Sequence, residues 1–368
     1  MKIAYVVVKN IRRGGGIEKY TEELGKRLAR AGHEITVYSM RNYGESISSH
    51  EGMSIQYVPC CPMKTLEKGT AAFFAMLKAL KKKPDIVHFH TIPAGAWLGF
   101  ATRMGMKCLL QWHGLEWKRS RFGGLNSKIA LYLEKYVMGQ QACLTAVSRT
   151  QCDYFERIYN KKVHYIPTGT DIKPSPSPSK ITAIGLEPRK YLFFASRLVR
   201  EKGAHYLIPA FRHLDTDFRL VLAGDSKDEE AYKQQLRQLA GNDKRIIFTG
   251  FVQGRLLEEL FAHTYAYIQP SEVEGLSIAL LEAMSYGSPC LVSDIPENLE
   301  AISDIGWYFR NTEVESLSER LRWMIDHPKI LDVIREKSRN RVRDYYSWDK
   351  ITEDFESLYM QMLQKDST

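Results

Sequence analysis

The chain has 368 residues, 44% hydrophobic and 26% charged, the proportions of an ordinary globular protein, which exclude a disordered tail, a collagen-like repeat and a polytopic membrane protein. At roughly 150 residues per domain the length favours two domains, large enough to need no disulfide or metal staples. The formal charge of +9 is uneven: residues 1–170 carry 26 Lys and Arg against 12 Asp and Glu, while the remainder is net acidic, which turns the first half toward nucleic acid, anionic lipid or a phosphorylated substrate.

Met1-Lys2 leads straight into the apolar run Ile3 to Val8. That run is too short for a signal-peptide core or for the roughly 18 residues of a spanning helix, so we expect a buried first strand and a cytosolic chain. Ile17, Tyr20, Leu24, Leu28 and Ala31 recur at helical spacing until Gly32, and Glu34 to Tyr38 opens the next strand. Ala71 to Lys83 is a helix whose stripe Phe73, Phe74, Leu77 and Leu80 is expected to pack on the sheet. A second basic stretch, Lys118 to Lys135, interleaves Phe122, Leu125, Ile129, Leu131 and Leu133. Together with the charge of the first half, it predicts a peripheral contact with an anionic membrane.

Strands are predicted at Ile86-Val87, Cys108 to Leu110, Cys143 to Val147 and Val163 to Ile166. Lys173 to Ser179 alternates Pro and Ser and predicts an extended linker over 173–181. Alternation then restarts, with strands at Tyr191 to Ala195, Phe218 to Ala223, Arg245 to Thr249, Tyr265 to Gln269 and Pro289 to Val292. Short apolar strands alternating with helices predict an α/β fold of two facing Rossmann-like, doubly wound parallel-sheet domains, residues 1–172 and 182–347, with ligands in a cleft at the strand carboxyl ends. The six cysteines show no zinc or disulfide spacing and are expected as reduced thiols.

Two motifs carry chemistry. Gly14-Gly15-Gly16 between the first strand and helix allows close backbone approach to a phosphate, yet Lys19 stands where a dinucleotide fingerprint needs glycine. A tight strand–helix turn explains the glycines equally well. The stretch Pro270 to Met284 places Glu274 beside a glycine at a helix start and Glu282 eight residues on. The two carboxylates would bracket a helix N-terminus, one for a sugar hydroxyl and one for a ribose diol, with the first-turn amides facing a diphosphate. The bland alternative is a dipole residue and a solvated charge; Leu280, Leu281, Ala283 and Met284 around Glu282 weigh against it. Asp215-Thr216-Asp217 precedes an apolar strand and is taken as a turn, so no metal site is expected.

The run Glu274 to Pro289 resembles the glutamate–seven residues–glutamate motif of family-4 retaining glycosyltransferases with the GT-B fold, the glycosyl transferases group 1. Gly15-Gly16-Ile17-Glu18, Ile86 to His90, Trp112-His113-Gly114, Thr145 to Ser148, Ser196 to Gly203 and Tyr346 to Asp349 resemble further family segments in the right order. The resemblance implies a C-terminal helix, 348–368, returning to the first domain. It implies a retaining, metal-independent hexosyltransferase using a nucleoside diphosphate sugar, a UDP-sugar first and GDP- or dTDP-sugars as alternatives, with no other cofactor. By that resemblance Arg197 and Lys202 grip the diphosphate, Glu274 meets the donor sugar and Glu282 the ribose. Gly275, Leu276 and Ser277 support phosphate and sugar, Phe251 and Val252 line the base, Gly15 and Gly16 lie on the donor side, and His113 sits by the reacting sugar.

The implied acceptor, held by the first domain, is a glycan or polyprenyl-linked saccharide of surface-polysaccharide or glycolipid assembly. His113 to Arg119 resembles a rhamnosyltransferase-like subgroup, with Trp117 to stack on sugar and Lys118, Arg119 and Arg121 for phosphate. Thr168 replaces the family's frequent asparagine, and Ser277-Ile278 is a variable pair that would touch the donor sugar. A nucleotide-sugar epimerase on the same fold and a basic nucleic-acid-binding protein are the alternatives. The latter lacks any recognition helix or aromatic platform, and no nucleic-acid partner is expected.

Overall fold

The apolar run at the N-terminus forms β1 (Lys2–Val8) at the centre of an eight-stranded sheet, flanked on both sides by parallel neighbours. The computed structural model describes residues 1–13, 15–44, 46–63, 66–115, 117, 124–226 and 229–364. It divides into two units, residues 1–168 with 348–368, and residues 169–347.

The first unit contains β1, α1 (Gly16–Arg30), β2 (Glu34–Met40), β3 (Ser49–His50), β4 (Met53–Val58), α2 (Glu67–Lys82), β5 (Ile86–Phe89), α3 (Ile92–Gly95), α4 (Leu98–Arg103), β6 (Cys108–Trp112), α5 (Leu125–Met138), β7 (Cys143–Ala146), α6 (Arg149–Tyr159) and β8 (His164–Tyr165). The strand order is β3-β4-β2-β1-β5-β6-β7-β8, parallel except for the short β3. Ala4 and Val6 of β1 face the core under α2 to α6, whereas Ile3 and Tyr5 face a second core. This is the period-two alternation of a strand buried on both sides.

The second unit contains α7 (Ser179–Ala183), β9 (Tyr191–Ala195), α8 (Ala204–Arg212), β10 (Arg219–Ala223), α9 (Glu230–Ala240), β11 (Ile246–Gly250), α10 (Arg255–His263), β12 (Ala266–Gln269), α11 (Ile278–Ser285), β13 (Cys290–Ser293), α12 (Pro296–Ile302), β14 (Trp307–Phe309), α13 (Val314–Asp326) and α14 (Pro328–Tyr345). Its six strands run in the order β11-β10-β9-β12-β13-β14, all parallel. Helices cover both faces. The last helix, α15 (Trp348–Gln364), belongs to the first unit, where Trp348, Ile351, Phe355, Leu358 and Tyr359 form one buried stripe beside α1.

Two expectations are revised. The stripe Phe73, Phe74, Leu77 and Leu80 does not form the packed face of α2. The sheet instead meets Ala71, Ala72, Ala75, Met76 and Ala79, and Phe74 and Leu77 are 38% and 39% exposed. The Pro/Ser stretch is not suspended between domains either; the chain passes to the second unit at 168/169, ahead of it. His263 Nε2 donates to Pro176 O at 2.6 Å and Arg255 Nη2 to Ser177 Oγ at 3.1 Å. The buried Glu259 accepts from the amides of Lys180 and Ile181 at the start of α7.

Candidate active site

In the second unit the strand order reverses between β9 and β12, so the connections leaving their carboxyl ends part and leave a crevice, the usual ligand position in a doubly wound sheet. Sequence dictates how closely the surrounding loops approach. Gly203, at φ +71°, ends the 3-10 turn Arg200–Lys202, and a Cβ there would lie 1.8 Å from Pro270 O. Gly224, at φ +147°, would bring a Cβ to 1.7 Å from Ser196 O. Only glycine permits either approach. The loops are then tied: the Glu272 amide donates to Glu201 O at 2.9 Å, and Tyr206 OH to Glu272 Oε1 at 3.0 Å. Beneath the β12 loop runs a buried chain in which Gln269 Nε2 donates to Asn298 Oδ1 (2.7 Å), Asn298 Nδ2 to Ser293 Oγ (2.9 Å) and Ser293 Oγ to Ser271 O (2.5 Å). Such a fully satisfied network fixes backbone position.

Two of the expected site residues meet directly. Lys202 Nζ lies 2.5 Å from Glu274 Oε1, with side chains 16% and 9% exposed. Arg197 is more open, its Nη2 4.0 Å from the buried Glu201. His205, at the start of α8, hydrogen-bonds through Nδ1 to Tyr232 OH at 2.9 Å. Burial, and then the Arg200 charge, push its pKa down to about 4, so it stays neutral here.

The helix after β12 starts later than the sequence implied. Ile278 is its first residue, and Ser277 is the N-cap whose Oγ accepts from the Leu280 amide at 3.3 Å. Gly275, Leu276 and Ser277 therefore belong to the approach loop, and a first-turn amide is already occupied. Glu282 is not embedded in the core. Leu280, Leu281, Ala283 and Met284 are buried, but the helical period puts Glu282 on the half-open stripe with Ile278 and Ala279. Phe251, just past β11, is 59% exposed, and Val252 packs partly against the core under α10 and α11.

In the first unit, Gly15 caps α1, and the Glu18 carboxylate folds back over it: a Cβ on Gly15 would fall 2.1 Å from Glu18 Oε2. Glu18 Oε1 accepts from the Lys9 amide at 3.3 Å. The space that a phosphate would use over Gly15 thus holds a carboxylate. Gly16 is exposed as the first residue of α1, and Gly14 lies outside the described residues. His113 follows β6, its ring 4.7 Å from that of Tyr20 and 6.0 Å from that of His90. Beneath it His88 and His90 are buried with rings 4.3 Å apart, and His88 Nδ1 lies 2.7 Å from Tyr359 OH on α15. Trp117 Nε1 donates to the buried Glu134, which also accepts from Tyr154 and Tyr159. The residue expected to stack on sugar is therefore held inward. Glu116, Lys118, Arg119, Arg121 and Phe122 lie outside the described residues.

Sequence reasoning missed the contact between Lys202 and Glu274, the Gln269–Asn298–Ser293 chain, and a cluster at the carboxyl ends of the first sheet. There Lys9 Nζ lies 2.8 Å from Glu67 Oε1 and 3.2 Å from Tyr43 OH. Polar residues immediately after apolar strands were the available signal.

Comparison with known proteins matches residues 14–173 to the Glycosyltransferase Family 4 and residues 179–341 to the Glycosyl transferases group 1. The chain is 28% identical to an uncharacterised glycosyltransferase of Methanocaldococcus jannaschii, over 98% of both chains. It is 25% identical to the UDP-Gal:alpha-D-GlcNAc-diphosphoundecaprenol alpha-1,3-galactosyltransferase of Escherichia coli, over 83% of this chain and 84% of that one. Among solved structures, the fold is similar to sucrose-phosphate synthase of Thermosynechococcus elongatus (TM-score 0.86, 18% identity, 99% and 100% coverage). It is also similar to Anabaena HepE in complex with UDP (TM-score 0.81, 18% identity, 98% and 100% coverage).

Proposed function

The chain belongs to the glycosyl transferases group 1 and has their GT-B fold of two Rossmann-like domains, and from this premise we propose a retaining, metal-independent hexosyltransferase that moves sugar from a nucleoside diphosphate to a glycan or polyprenyl-linked acceptor. The observation that carries the reading is the Lys202–Glu274 pair at the β9–β12 crevice, with Arg197 on the same loop as Lys202. A departing diphosphate needs cations placed in advance, and an Arg fork beside a Lys point charge supplies them. In this reading Lys202 exchanges its carboxylate partner for phosphate, and Glu274 turns to a donor-sugar hydroxyl. Glu282, on the open stripe of α11, takes the ribose. Gly275 to Ser277 follow the sugar and phosphate, Phe251 and Val252 take the base, and His113 serves the acceptor.

For retention we propose same-face attack, the leaving phosphate oxygen accepting the acceptor's proton as the glycosidic bond forms. UDP is the favoured nucleotide: the Escherichia coli relative is named for UDP-Gal and the Anabaena structure holds UDP. The same relative's diphosphoundecaprenol acceptor supports a lipid-linked substrate and cytoplasmic work with peripheral membrane contact. No helix among the described residues is long and apolar enough to cross a membrane.

Calorimetry with UDP, GDP, ADP and dTDP on wild type and Glu282→Ala tests the donor site. Selective binding of one nucleotide, weakened in the variant, is expected; no binding by any would overturn the reading. Activity that survives EDTA, with the donor's anomeric configuration kept in the product, is the second expectation. An inverted product would end the retaining proposal, and donor turnover without acceptor would favour the epimerase.

A further inference from the structure

The face of the first sheet that α1 and α15 cover changes character along its strands. At the amino ends Ile3, Ile86 and Leu109 pack into the core, but two residues on, Tyr5, His88 and Gln111 follow, all fully buried. His88 is tied through Nδ1 to Tyr359 OH, and Gln111 Nε2 donates to Ile166 O at 3.2 Å. His90 prolongs the row one residue past β5, its amide donating to Val6 O at 3.1 Å. Its ring lies 5.0 Å from that of Tyr5 and 5.8 Å from that of Tyr20 on α1. Yet neither ring nitrogen of His90 meets a hydrogen-bond partner among the described residues, although the residue is only 1% exposed.

Two unmet polar atoms in such a place cost about 1–3 kcal/mol each, and a leucine of similar volume would cost neither. Burial holds the ring neutral, so it carries one N–H donor and one bare acceptor nitrogen. The titratable groups whose rings surround it are Tyr5, Tyr20, His88 and His113. Of these, His113 is the one that follows a strand end, where ligands of a doubly wound sheet bind. We propose that His90 is a positioning residue for the transfer step. Its ring pairs with His113, directly or through one internal water, and so fixes which nitrogen of His113 faces the acceptor. His88, anchored by Tyr359, backs His90 as His90 backs His113. This rests on the reading in which His113 serves the acceptor, and adds what sets that histidine's tautomer.

The test uses the full chain with isotopically labelled histidine, as wild type, His90→Leu, His90→Gln and His113→Ala, the last to assign the His113 signals. Ring-nitrogen NMR shifts report the His113 tautomer, calorimetry reports UDP binding, and UDP release from UDP-galactose, UDP-glucose and UDP-N-acetylglucosamine reports turnover. Wild type should hold His113 in one tautomer. His90→Leu should mix the two tautomers and lower turnover by about a hundredfold, with UDP affinity unchanged. Its melting temperature should be no lower than that of wild type, since it removes two unmet polar atoms. His90→Gln keeps a donor and an acceptor and should restore much of the turnover and the single tautomer. A marked drop in the melting temperature of His90→Leu, or a His113 tautomer unchanged by that substitution, overturns the proposal and leaves His90 a packing residue. So does a wild-type His113 already divided between both tautomers. Failure of the underlying reading shows separately, as absent UDP binding or full turnover by His113→Ala.

Discussion

Lys202 and Glu274 stand 72 residues apart in the chain and 2.5 Å apart in the fold. Glu274 was legible from its place beside a glycine ahead of a helix, whereas Lys202 came only through the resemblance of Ser196 to Gly203 to a family segment. The pair itself was not legible, since no local pattern states which loops share a strand boundary. Its consequence is measurable. In the ligand-free protein the pair neutralises itself, so a diphosphate must compete with Glu274 for Lys202. Glu274→Gln should therefore bind UDP at least as tightly as wild type, while turnover falls by roughly 100- to 1,000-fold through the lost sugar contact. Lys202→Gln should lose both UDP affinity and turnover, leaving Glu274 half-stranded in a site of low exposure. If both substitutions weaken UDP equally, the exchange of partners does not occur. Glu282 shows the opposite lesson: its apolar neighbours in sequence suggested burial, but a helix separates residues that sequence puts side by side.

At the scale of elements, the doubly wound alternation was readable because short apolar strands and amphipathic helices have distinct periods. β4 escaped notice since Ser54 and Gln56 interrupt its apolar residues near the sheet edge. The existence of α2 was readable, but its rotation was not. Alanines at 71, 72, 75 and 79 form as regular a stripe as Phe73, Phe74, Leu77 and Leu80, and only the close approach of helix to sheet decides between them. The glycines at 203 and 224 were visible as residues, though their role depends on Pro270 and Ser196 crossing nearby. Gly224→Ala should cost on the order of 2–4 kcal/mol, since backbone must move to admit the methyl group, and should weaken nucleotide binding as the loops part. Gly241→Ala, which meets nothing closer than 3.8 Å, should lose less, its only penalty being a backbone conformation that L side chains rarely adopt (φ +57°, ψ −133°), on the order of 1–3 kcal/mol. Chemical denaturation of the two variants compares them, and equal losses would remove the argument from close approach.

Over the whole molecule, the two units differ in their response to acid. His88 and His90 are fully buried in the first unit. Burial, and then neighbouring histidines, hold both pKa values well below the ordinary 6.5. Protons that the unfolded chain binds near pH 6.5 are refused by the folded one. The stability these residues confer is therefore complete above about pH 6.5 and is lost as pH falls, by about 1.4 kcal/mol per pH unit for each histidine. As pH falls below 6.5 the first unit, with His88 and His90, should lose stability to urea more steeply than the second, where burial holds one histidine, His205, down at about 4, and a first unit insensitive to pH would contradict the neutral assignment. The Pro/Ser stretch suggested a domain boundary because it fits neither helix nor central strand, but the bonds that bind it to residues 255 and 263 are long-range and leave no local trace. The chain in fact crosses between units at 168/169 and again at 347/348. That second crossing sets a schedule for biosynthesis. The stripe of α15 that completes one core of the first unit reaches the ribosome exit only after the whole of residues 169–347, a delay of roughly 10–35 s at about 5–20 residues per second. During that interval the face awaiting Trp348, Phe355 and Tyr359 has no cover from its own chain, making the nascent first unit a client for chaperones while the second is free to finish folding.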